Sequence, residues 1–222
     1  MNKNVGFISS HFPKLILIIA SYALAMAYLE SATVVYLQRA LSITPRTLFP
    51  MRDYTSLGGL GSIEIGREIA TLVMLASVGW LVGHGATERL AWSAIAFGIW
   101  DLGYYFFLWI FIGWPTSFGT YDLLFLLPVP WVGPVWAPMI VSVALIFFGL
   151  LVVRRSKSSN SIRIRLRDGA LMCAGGLVVI ISFTLHFKSI IDGAIPTTFA
   201  WPIFLIGMGL GVLGFGEAIA HS

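Results

Sequence analysis

Residues Leu90–Ile112 read LAWSAIAFGIWDLGYYFFLWIFI, an apolar run interrupted by a single charge, Asp101. At the helical rise per residue this run is about 34 Å long, enough to cross about 30 Å of hydrocarbon. A run of this length with one buried charge reads as a transmembrane α-helix, and it sets the reading of the rest. Comparable apolar runs lie at 13–41, 62–82, 134–153, 169–187 and 199–219. With 90–112 they predict an all-α, polytopic helical bundle of about six spans in a single transmembrane domain covering 1–222. A closed barrel is disfavoured, because its strands would alternate apolar and polar residues in pieces of about ten.

Composition agrees. The chain is 58% hydrophobic and 11% charged, where a soluble domain carries about 25% charged residues. Mean hydropathy is +0.88. The aromatic share of 14%, with 8 Trp, suits side chains anchored at membrane interfaces. The net charge of +4 does not point to nucleic acid, because much of it lies in one basic loop, 154–168, between two spans. Membrane lipids are the expected surroundings. Cys173 is the only cysteine and lies inside an apolar run, so no intramolecular disulfide and no thiolate cluster is expected.

The Lys and Arg residues set an expected orientation. With both termini cytoplasmic, the inside carries Lys3, Lys14, Arg89, Arg154, Arg155, Lys157, Arg163, Arg165 and Arg167, and the outside Arg39, Arg46, Arg52, Arg67 and Lys188. The excess of cytoplasmic Lys and Arg favours this arrangement, in a multi-pass protein of the bacterial inner membrane. Small-residue triplets such as Ala23-Leu24-Ala25 resemble a cleavage site, but the apolar run continues to Leu37, so the first span is read as uncleaved. Polar residues Ser156 to Ser161 read as a cytoplasmic loop, and Gly58, Gly59 and Gly61 as tight turns before the second span.

Segment 113–133 is too apolar for an exposed loop, and its Pro and Gly residues prevent a continuous span. It reads as a short helix, about Thr120 to Leu127, that lies in the outer interface or dips back into it. With Trp114, Asp122 and Trp131 it would act as a lid. In the last span Gly207 and Gly211 form a small-xxx-small pair, suited to close helix packing and a candidate docking face for a homo-oligomer or a membrane-complex partner.

Ionisable groups inside a span are costly and are candidates for function. Glu30 lies roughly 8 Å below the expected outer surface and Glu68 roughly 9 Å. Glu64 and Glu68 share one face of the second span. Asp101 falls near the midplane, Asp122 on the expected cap, and His186 at the outer end of the fifth span. So many carboxylates at low dielectric must be protonated, paired with Arg67, or neutralised by a cation. Glu30, Glu64, Glu68, Asp101 and His186 form a candidate ligand set for a divalent metal ion, with Asp101, Glu68 and His186 as candidate catalytic residues. Arg67 is equally placed to bridge Glu64 or Glu30 structurally. Tyr104 and Tyr105 add hydroxyls one turn past Asp101, and Trp100 and Trp109 are candidate walls of an apolar pocket.

Several motifs are absent: the Glu-x-x-His pairs of di-iron bundles, the His-Glu-x-x-His zinc motif, the Gly-x-Ser-x-Gly elbow and the P-loop. The run Trp100-Asp101-Leu102-Gly103-Tyr104-Tyr105, followed by Gly113-Trp114-Pro115, Asp122-Leu123-Leu124-Phe125 and Pro128-Val129-Pro130-Trp131-Val132-Gly133-Pro134, resembles uncharacterised bacterial polytopic membrane proteins. The resemblance covers about the middle of the chain and implies no activity. Three readings stay open: a cation- or metal-dependent membrane enzyme acting on a lipophilic substrate, a proton- or ion-coupled transporter, and a non-catalytic subunit of a membrane complex.

Overall fold

The computed structural model describes residues 3–40, 42, 60–156, 162 and 164–222. Gly58, Gly59, Arg46, Arg52, Lys157, Arg163 and most of the polar stretch 156–161 lie outside the described residues. The elements are α1 (Lys3–Ala40), α2 (Leu60–Val82), α3 (Ala86–Ile112), β1 (Tyr121–Phe125), β2 (Trp131–Pro134), α4 (Trp136–Ser156), α5 (Leu166–Thr184), α6 (Phe187–Ile191) and α7 (Trp201–Ala220). Among the described residues six stretches are long and apolar enough to span a bilayer: Phe12–Ala40, Gly61–Val82, Ala86–Ile112, Trp136–Ser156, Leu166–Ile191 and Trp201–Ala220. The protein is a polytopic helical membrane protein, as its apolar runs predict.

Helix α3 is the hub, packing against α1, α2 and α4. Its small residues explain why. A Cβ on Gly98 would lie 2.6 Å from the Ser142 carbonyl oxygen of α4, and one on Gly103 would lie 2.8 Å from Ala27 Cβ of α1. The backbones therefore approach closely, which favours association in lipid, where no hydrophobic effect drives helices together. Ser31 Oγ adds a polar tie from α1, donating to the Tyr104 carbonyl at 3.0 Å. Trp92, Ile95, Ala96 and Ala23 fill the core around these contacts.

Helices α5 and α7 pack chiefly on each other. Here Gly207 is used within the chain. A Cβ on Gly175 would meet Gly211 N at 2.6 Å and Gly207 O at 2.7 Å. Gly175→Leu is therefore expected to destabilise the α5–α7 pair by about 1–3 kcal/mol, the usual cost of overpacking. Gly176→Leu is the control, since its Cβ would meet nothing within 4 Å. Thermal melts in detergent check this: only the first variant should melt lower.

The structure corrects one element. Residues 120–127 do not form a helix; Tyr121–Phe125 and Trp131–Pro134 pair as an antiparallel β-hairpin. The register sets Tyr121 against Pro134, Asp122 against Gly133, Leu123 against Val132 and Phe125 against Trp131. A two-turn helix would leave most of its backbone groups unpaired at its two ends. The hairpin pairs strand with strand, and Pro128 and Pro130 at its turn bring no N–H to satisfy. Tyr121, Phe125, Trp131 and Val132 also favour strand. Gly133 lets Phe183 of α5 lie on β2, since a Cβ there would sit 2.7 Å from that ring.

The hairpin runs back into the bundle. Its Phe125 ring lies 6.4 Å from Trp100, and Trp100 is about 18 Å along α3 from Ile112. Four steps of β1 cover about 14 Å, which matches this descent. Irregular backbone at membrane depth survives only when protein surrounds it or it lines a polar cavity. The hairpin meets Trp100 of α3 through Phe125 and Glu68 of α2 through the Leu126 N–H.

Candidate functional site

The hairpin end of the bundle gathers the intramembrane carboxylates. On α2, Glu64 and Arg67 are one turn apart, and Arg67 Nε donates to Glu64 Oε2 at 3.0 Å. The same guanidinium forms an ion pair with Glu30 of α1. Thr71, one turn further along α2, donates to Glu30 Oε2 at 3.3 Å. One Arg thus clamps two carboxylates from two helices, with side-chain exposure of 22% for Arg67 and 12% for Glu30.

Glu68, next to Arg67, turns to the hairpin. Both of its carboxylate oxygens accept the Leu126 N–H at 3.0 Å. Glu64, Arg67, Glu68 and Thr71 fall at i, i+3, i+4 and i+7, so one stripe of α2 supplies all four side chains, Arg67 and Thr71 reaching Glu30 of α1 and Glu68 the hairpin. Glu68 is 5% exposed and lies within electrostatic range of Glu64, Arg67 and Glu30. At the hairpin turn, Trp131 Nε1 donates to the Leu127 carbonyl at 2.6 Å, closing the loop on itself.

Two further carboxylates lie on α3 and against it. Asp101 accepts the Ser142 hydroxyl of α4 at 2.7 Å, with both residues buried. Asp122 of β1 accepts the Tyr105 hydroxyl at 3.1 Å and the Leu123 N–H at 2.8 Å. The Tyr104 ring lies against Trp100 and Tyr105. Trp114 is buried on Tyr105. Trp100 is 5% exposed, and its indole N–H meets no acceptor among the described residues.

The structure therefore joins Glu30, Glu64, Arg67 and Glu68 in one network, and ties Asp101 and Asp122 to α4 and α3 beside it. It does not bring His186 to them: that residue is exposed, just ahead of α6. Among the described residues no group of three or more His, Cys, Asp or Glu side chains is placed to hold a metal ion. Arg67 occupies the position between Glu30 and Glu64 that such an ion would need. Trp109 borders an apolar cavity, whereas Trp100 is a core residue against the hairpin.

Sequence reasoning missed Thr71, Ser142 and the Leu126 N–H. Two of them carried a signal. Thr71 lies on the Glu64 and Glu68 face, seven residues past the first and three past the second, and Ser142 is a polar residue within the apolar run of α4. The amide of Leu126 has no side-chain signature.

These features define a class: a polytopic helical membrane protein with buried carboxylates beside a β-hairpin. No family model, curated protein or solved structure matches the chain.

Proposed function

We propose that the protein is a proton-coupled transporter in which the carboxylate network binds and releases protons and the hairpin gates access from the outer face. The observation that carries this is an imbalance of charge. Among the described residues Glu30 and Glu64 share one guanidinium, that of Arg67, with Glu68 in range of it, while Asp101 and Asp122 are buried with no basic side chain paired to them. An excess of anions at low dielectric must be offset by protons or a bound cation. Arg67 already fills the cation position between Glu30 and Glu64, and no three-ligand group is available among the described residues, so protons are the better-supported partner.

Glu68 couples charge to movement. An ionised carboxylate is roughly twice as strong an acceptor as a neutral one. Protonating Glu68 therefore weakens its hold on the Leu126 N–H and loosens the hairpin tip. The distribution of Lys and Arg supports placing the hairpin on the outer side. The test is whether the hairpin tip becomes more accessible as the pH falls, and whether Glu68→Gln removes that response.

A further inference from the structure

We propose that the cleft between α3 and α4, beneath the turn at 115–118, binds one acyl chain of a zwitterionic phospholipid. The cleft borders the carboxylates through Tyr105, which also bonds Asp122, but the proposal does not rest on the transporter reading. Its volume is about 400 Å³, within the range of small-molecule sites. One wall is a stripe on α3, Leu102, Phe106 and Trp109, spaced so that the three share a helix face. Met139 of α4 forms the facing wall, and Phe118 roofs the cleft. Methionine adapts readily to a flexible chain.

The occupant follows from where the cleft opens. Phe106, Trp109 and Phe118 are 54%, 60% and 64% exposed. On a membrane-spanning helix such exposure faces acyl chains, so the cleft is continuous with the lipid-facing surface. Leu102 to Trp109 covers about 10 Å of helix, a depth that suits a chain entering from the adjacent leaflet. At the mouth stand the exposed hydroxyls of Thr116 and Ser117. Among the described residues no charged side chain lines the cleft. An anionic headgroup would find no counter-ion there, whereas a zwitterionic one carries its own and needs only hydrogen bonds.

The test uses the full chain in phosphatidylcholine nanodiscs doped with a phosphatidylcholine whose acyl chain carries a diazirine. After irradiation the adducts are mapped by mass spectrometry. Adducts should concentrate on Leu102–Trp109 and Met139, several-fold above those on Ile63 and Val73, lipid-facing residues of α2. Leu102→Trp, which fills the cleft, should lower the cleft adducts several-fold and leave those at Val73 unchanged. Met139→Trp fills it from the other wall and gives the same readout if the first variant does not fold. Exchanging half of the phosphatidylcholine matrix for phosphatidylglycerol should raise the cleft adducts, because phosphatidylglycerol competes less well for the cleft. Even labelling of α2 and α3, or equal competition by both lipids, would overturn the assignment.

Discussion

Arg67→Met is expected to be among the most damaging single substitutions in this protein, costing about 3–5 kcal/mol of stability. Arg67 is the cation shared by Glu30 and Glu64, on two different helices. Its removal leaves two carboxylates largely out of water with only Thr71 as a further donor to Glu30. Breaking such a pair costs far more than the pair contributes, because an uncompensated charge remains. The prediction includes its own rescue. Adding Glu30→Gln and Glu64→Gln to Arg67→Met should restore most of the lost stability, since no charge is then left without a partner. Unfolding by sodium dodecyl sulfate in mixed micelles measures each step. If Arg67→Met alone is harmless, the ion pairs do not hold α1 to α2.

Glu68→Leu should release the hairpin without unfolding the bundle. The carboxylate is the acceptor for the Leu126 N–H at the hairpin turn. Leaving a buried donor unpaired costs about 1–3 kcal/mol, so the open population should rise by roughly 5- to 150-fold. Glu68→Gln keeps an acceptor oxygen and should open the tip much less. The readout is labelling of Val129→Cys, a half-buried position on the turn, by a charged maleimide. Cys173 is exposed and must first be replaced with Ser. Faster labelling in Glu68→Leu, with an unchanged melt, is the expected outcome; equal rates in all three backgrounds would mean that Glu68 does not retain the hairpin.

The spans were legible because their cause is local. A bilayer demands about 20 apolar residues per helix, and each run states its own length. Arg67 as the partner of Glu64 or Glu30 was legible from helical spacing on α2. The hairpin was not. Residues 121–134 carry apolar residues on both sides because protein surrounds them, so the alternation of a half-buried strand is missing and periodicity cannot tell strand from helix. The decisive facts are tertiary: the Leu126 N–H reaching Glu68, and Phe183 lying on Gly133. His186 shows the converse. Its position at the end of an apolar run suggested convergence, but depth along a helix does not say which way a side chain faces, and this one is exposed. The same limit hid Ser142, whose value comes only from Asp101 opposite.

Protonation of Glu68 controlling the hairpin is the central claim, and tip accessibility against pH tests it most directly. The chain carrying Val129→Cys and Cys173→Ser is labelled in nanodiscs from neutral to mildly acidic pH. Each rate is divided by that of the detergent-unfolded chain, which removes the dependence on thiolate fraction. The relative rate should rise as the pH falls, because the protonated carboxyl holds the Leu126 N–H less strongly. In Glu68→Gln it should be nearly flat. A flat profile in the Glu68 protein, or the same slope in Glu68→Gln, would contradict the account.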